Sequence, residues 1–226
     1  MKWVVFFSWL ALLPSLAFSL TINREIEKGF EPEQKKIIEE ALKLLEARLA
    51  DNEVFNCVNL AKKASVNTDY LKKTPLHNQD TLIPSLMSLQ WMSLLSDKEQ
   101  FPLVRIKAFK EEDASHAYSR KENFVLPALF SPNGKAEGEF EVFLNSALLG
   151  APQGEKQAEL WAGAIAHQLF HNLGHQHAEK ADNRLEYQLD RVEACVVTSG
   201  KLNKEADQNV TFSKCGEPAK VVAEKP

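Results

Sequence analysis

The chain has 226 residues, 44% hydrophobic and 26% charged, with only 9 Gly and 10 Pro. That balance belongs to an ordinary globular protein and excludes collagen-like and low-complexity readings. A net charge of −4 leaves no surplus of Lys and Arg for phosphate contacts, so nucleic acid is not an expected partner. Three Cys are too few for a disulfide-dense miniature scaffold, whereas the length suffices to bury one sizeable core.

Residues 1–19 read as a secretory signal peptide. Lys2 gives a short basic start, Trp3 to Phe18 is almost unbrokenly apolar, and Ala17 and Ser19 are the small residues a signal peptidase requires. Cleavage after Ser19 is preferred, with Ala17 as the alternative. The run is short for a membrane span and Pro14 interrupts it, so no span is expected once the signal is removed. Residues 20–200 then form the domain, and 201–226 a polar tail. Export permits disulfides. One bridge can form among Cys57, Cys195 and Cys215, and the sequence leaves open whether Cys195 pairs with Cys215 or Cys57 pairs with either. Asn209-Val210-Thr211 is a glycosylation sequon.

Pro32 opens a helix to about Ala50, because Ile38, Leu42, Leu45 and Leu49 recur at helical spacing among Lys and Glu. A second helix is predicted from about Asp80 to Leu95, with Leu82, Leu86, Leu89 and Met92 on its stripe and Pro84 in its first turn. Leu103 to Phe109 alternates apolar with basic residues, which is strand periodicity. Asn123 to Phe130 reads as a second strand, placed by Pro127 at an edge or bulge. The turn Ser131-Pro132-Asn133-Gly134 follows, and Glu139 to Leu148 alternates as a third strand. Helices are predicted from about Glu155 to Leu173 and from Asn183 to Thr198, the latter capped near Asp182. The order of elements is that of an α+β protein.

Four of the six His lie between His167 and His177. His167 and His171 differ by only about 40° around a helix, so their rings project from one face, one turn apart. Two ring nitrogens can then meet one ion at about 2.0–2.1 Å each. Gly174 can take positive φ, end the helix and swing His177 back toward the first two. Three His leave a fourth position open, which is the coordination of a catalytic zinc. Trp161, Ile165, Leu169 and Leu173 lie on the other side of the helix, so the His pair is expected to line a cleft while they enter the core. His175 falls on the wrong beat to share the ion and reads as a turn residue or a supporting group.

His167, His171, Gly174 and His177 give the segment its resemblance to the HExxHxxGxxH motif of the metzincin metallopeptidases. The resemblance implies a zincin-like fold with a small antiparallel or mixed sheet packed on helices. It also implies Zn2+ held by His167, His171 and His177, and a strand at an edge of the sheet, expected at Glu139 to Leu148, that pairs with extended peptide. Two positions depart from the family's pattern. The general-base Glu is replaced by Gln168, whose amide can hydrogen-bond water but cannot take a proton near neutral pH. No methionine follows the motif, since Met1, Met87 and Met92 all precede it, so the family's Met-turn has no counterpart.

Glu179, just past the turn, is the first candidate for a replacement base and Glu159 the second. Asp190 and Glu193 read as solvated charges on an amphipathic helix, or else as ligands or supports for an imidazole. Tyr187 is near enough in sequence to be an oxyanion donor. Two functions follow. One is a secreted zinc-dependent metallopeptidase-family protein weakened or inactivated by Gln168. The other is a non-catalytic zinc-binding protein that uses the same cleft to hold a peptide or protein partner.

Overall fold

The computed structural model describes residues 20–74, 83–96, 101–111, 115–120, 122–150, 157–177 and 184–202. The signal segment, Glu179, Asp182, Asn209, Cys215 and most of the predicted tail lie outside these residues.

Helix α1 (Pro32–Leu49) begins where the sequence supplies both a start and a stripe. Pro32 opens its first turn, and Gln34 Oε1 accepts a hydrogen bond from the Glu31 backbone N–H at 2.9 Å. Ile38, Leu42, Leu45 and Leu49 are buried as their spacing requires. Two short helices follow, α2 (Asn52–Asn59) and α3 (Thr68–Lys73). Each starts on a side-chain cap, Asp51 accepting from the Glu53 N–H and Asn67 from the Asp69 N–H. Helix α4 (Ile83–Ser96) carries Pro84 in its first turn and buries Leu86 and Met87, whereas Met92 faces outward.

The sheet runs in the order β1-β2-β4-β3. Strands β1 (Arg24–Ile26), β2 (Val104–Phe109) and β4 (Phe140–Asn145) are parallel, and β3 (Ala117–Tyr118) is antiparallel to β4. In register, Ile26, Ile106 and Val142 turn to one face, and Glu25, Arg105 and Glu141 to the other. The apolar face packs against α1 and helix α5 (Gln157–Asn172), with Phe140, Val142, Leu144, Ile38, Leu42, Trp161 and Ile165 in one continuous core. Helix α6 (Gln188–Val197) lies against α5 and is tied to α2 by a disulfide between Cys57 and Cys195. The bridge resolves the pairing that the sequence left open and is the covalent feature of an oxidising compartment. Among the described residues no helix is long and apolar enough to cross a membrane.

Three expectations need correction. Asn123–Phe130 is not a strand: Leu126 makes one bridge to Glu137, and beyond Pro127 the chain turns into a 3-10 helix at Ala128–Phe130. Pro127 has no N–H to continue a ladder. The segment before the motif helix, β4, is not an edge, because β2 pairs on one side and β3 on the other. The antiparallel edge belongs instead to β3, a strand too short to show periodicity. Finally, the last helix starts later than Asn183, with a 3-10 turn at Arg184–Glu186 before α6.

Candidate metal centre

The carboxyl end of α5 is held by Asn172. Its side-chain oxygen accepts from the Glu141 N–H of β4 at 3.1 Å, and its side-chain amide donates to the Asn123 carbonyl at 3.1 Å. Its backbone carbonyl accepts from the Val125 N–H at 2.9 Å. The helix end is thus fixed against the sheet before the chain turns. Gly174 makes that turn with φ of +87°, a conformation that Cβ-bearing residues rarely adopt, and a Cβ there would stand 2.3 Å from the Tyr70 ring. The position therefore requires glycine twice over, for the backbone and for the aromatic ring laid on it.

The turn returns His177 to the helix. His167, His171 and His177 form the group among the described residues that could hold a metal ion, their candidate ligand atoms within 4.8 Å of one another. The ring centroids form a near-equilateral triangle with sides of 4.9, 4.9 and 5.0 Å. His167 Nε2 and His177 Nε2 are 3.3 Å apart. Two nitrogens about 2.0–2.1 Å from one tetrahedral ion stand roughly 3.3–3.4 Å apart, so this pair is spaced to share a metal ion.

Every ring has a polar neighbour at Nδ1, on the side away from the others. His171 Nδ1 lies 2.8 Å from the His175 carbonyl, where it donates. His167 Nδ1 lies 3.1 Å from Glu193 Oε2, both side chains being wholly buried. The contact is close, although it is not aligned as a full hydrogen bond. His177 Nδ1 lies 3.6 Å from Asp190 Oδ1. Acceptors at Nδ1 favour the neutral tautomer protonated there, which makes Nε2 the donor atom for a metal. The residues present therefore fit the ion.

Asp190 and Glu193 are not solvated charges: both are buried, on the face of α6 that backs the triad. Burial acts to raise the Asp190 pKa, but contacts from His177 and Arg184 outweigh it and hold the group down at about 2. Arg184 Nη2 reaches the same Asp190 Oδ1 at 2.5 Å. The sequence did contain a signal. Glu193 interrupts the apolar run Val192, Ala194, Cys195 and Val196, and Asp190 precedes it by three residues on the same helix face, which is not how a solvent-facing helix side reads.

His175 is both things the sequence allowed. Its backbone carbonyl orients His171, and its side chain joins a buried network. His175 Nε2 and Gln90 Oε1 are 2.7 Å apart, and Gln90 Nε2 donates to the Tyr70 hydroxyl and the Leu173 carbonyl, each at 2.8 Å. Burial, with His171 nearby, lowers the His175 pKa to about 3, so the ring stays neutral.

Gln168 is fully buried. Its Nε2 donates, at a long 3.4 Å, to the Ala117 carbonyl of β3, and its Oε1 is a buried acceptor without a hydrogen-bond partner among the described residues. Tyr187, at the N-cap of α6, lies under the Lys63 ammonium, 5.5 Å from its ring centre. Glu159 lies two turns before His167 and is half-buried.

The expectation that the His pair lines an open cleft also needs correction. Trp161, Ile165, Leu169 and Leu173 are buried as expected, but His167 is equally buried because α6 covers its face. Only His171 and His177 reach toward solvent, and the His177 side chain is 37% exposed. A separate open cleft of about 400 Å³, on the outer face of the sheet, is lined by Arg105, Arg120, Glu122, Asn123, Glu139 and Glu141. No triad residue lines it, and Arg105 pairs with Glu139 and Arg120 with Glu141 across it.

Comparison with protein-family models, curated proteins and solved structures finds no match for this chain. The class that fold and site define is an α+β protein with a three-histidine group able to hold a metal ion.

Proposed function

We propose that the chain is an exported, zincin-like protein of the metallopeptidase type whose His167, His171 and His177 bind Zn2+, and that Gln168 leaves it a weak or inactive hydrolase. The observation that carries this reading is the triad, with each Nδ1 beside an acceptor, His167 Nε2 and His177 Nε2 3.3 Å apart, and one ring nitrogen from each His within 4.8 Å of the others. Zinc, when bound, supplies Lewis-acid polarisation and an activated nucleophile at neutral pH. The chain's own residues divide the remaining work. The three imidazoles hold the ion, and α6 excludes water from behind His167.

Gln168 can donate through Nε2 and accept through Oε1, but it cannot store a proton. Losing a general base typically costs about 10²- to 10⁴-fold in rate. Neither buried carboxylate is a substitute, since Glu193 faces His167 Nδ1 and Asp190 is shared by His177 and Arg184.

The test is peptide hydrolysis by the zinc-loaded mature chain beside its Gln168→Glu variant. Wild type should be very slow, Gln168→Glu should gain roughly 10²- to 10⁴-fold, and a second change, His171→Ala, should abolish the gain. A wild type already as fast as Gln168→Glu would overturn the reading. Glu179 would then be the first residue to replace and Glu159 the second.

A further inference from the structure

The two carboxylates behind the triad stand at different distances from the imidazoles they face. Asp190 Oδ1 takes Arg184 Nη2 at 2.5 Å and Arg184 Nε at 3.2 Å, and stands farther, 3.6 Å, from His177. Glu193 Oε2 lies 3.1 Å from His167 Nδ1, in a position only 1% exposed. A carboxylate so placed is costly unless its charge meets a donor or a cation. The fold nonetheless brings it there by close helix contact. Gly163, one turn before His167 on α5, has no side chain, and a Cβ there would meet Val197 Cγ2 at 2.6 Å and the Glu193 backbone oxygen at 3.2 Å. The small residue lets α6 approach until Glu193 reaches the first ligand. Two residues later Cys195 ties α6 to Cys57, and Arg191 Nε donates to the Cys57 carbonyl at 2.6 Å.

We propose that Glu193 is a positioning residue, which keeps the His167 proton on Nδ1 and turns Nε2 into the triad, and so sets how tightly the three histidines take a divalent cation. The proposal rests on the zinc-binding reading for its affinity consequence but not for its tautomer consequence. Glu193 touches the ion only through His167. An acceptor oxygen beside Nδ1 raises the basicity of the opposite ring nitrogen and so strengthens His167 as a metal donor. Asp190 does the same for His177 more weakly, across 3.6 Å rather than 3.1 Å.

Two measurements on the mature chain test this. The first is zinc affinity by chelator competition for wild type, Glu193→Gln and Asp190→Asn, with Glu139→Gln on the outer sheet face as control. Glu193→Gln should weaken zinc binding about 10- to 100-fold, Asp190→Asn less, and Glu139→Gln not at all. Glu193→Gln within twofold of wild type, where wild type binds zinc, would overturn the proposal. The second is the long-range proton–nitrogen NMR spectrum of the histidines in metal-free protein at neutral pH. His167 should carry its proton on Nδ1 in wild type and redistribute it in Glu193→Gln. A wild-type His167 protonated on Nε2 would overturn the proposal even if Glu193→Gln failed to fold. Should wild type bind no zinc, the function proposed above fails, and the NMR result alone decides the role of Glu193.

Discussion

The same residue types do opposite things on the two sides of this molecule. On the outer face of the sheet, Arg105 pairs with Glu25 and Glu139, and Lys107 with Glu27 and Glu141, in a ladder of partly exposed charges. Behind the triad, Asp190 and Glu193 are buried against imidazoles. Water screens the first set, so each exposed pair contributes only about 0–1 kcal/mol. The second set lies where screening is weak and an unpaired charge is expensive. Charged residues therefore report on function here only when their burial is known.

That comparison can be sharpened by substitutions of decreasing expected effect. Removing a ligand is the largest. His167→Ala or His171→Ala should lose the zinc outright. His175→Ala should keep it, because only the backbone carbonyl of His175 serves the site. His175→Ala should instead cost about 1–3 kcal/mol in denaturant melts, by leaving Gln90 Oε1 buried without its partner. Zinc lost equally in all three variants would break the ligand assignment.

Replacing both Cys57 and Cys195 with Ala comes next. It opens a link between residues 138 apart in sequence and should lower stability by about 2–5 kcal/mol. Zinc affinity should fall less than in Glu193→Gln, since α6 keeps its packing on α5. Gly163→Ala should cost about 1–3 kcal/mol through the clash with Val197 and should also weaken zinc, as α6 is pushed from His167. A variant that lost stability with unchanged zinc affinity would separate helix packing from the site. Smallest is Arg105→Gln, which should move stability by no more than about 1 kcal/mol and leave zinc binding unchanged.

Long periodic elements were legible in the sequence, and short ones were not. The stripe Ile38, Leu42, Leu45, Leu49 gives α1, and the alternation of Val104, Arg105, Ile106, Lys107 gives β2, because each spans enough residues for a period to repeat. Strand β1 has three residues and β3 two, too few to show one, and both exist through pairing with distant partners. The triad was legible because helix geometry and one glycine turn bring its members together locally. Its backing was not, since Glu193 meets His167 only after α5 and α6 pack. The parallel register of β2 with β4 is equally non-local: it joins Ile106 to Val142 across a segment that contributes β3 to the same sheet.

The central claim is that His167, His171 and His177 hold one metal ion. The most direct measurement is the metal content of the purified mature chain beside its His167→Ala variant, after equal exposure to zinc and removal of the excess. About one zinc per wild-type chain and almost none in His167→Ala is the expected result. Wild-type protein with no bound metal, or with the same content as His167→Ala, would contradict the account.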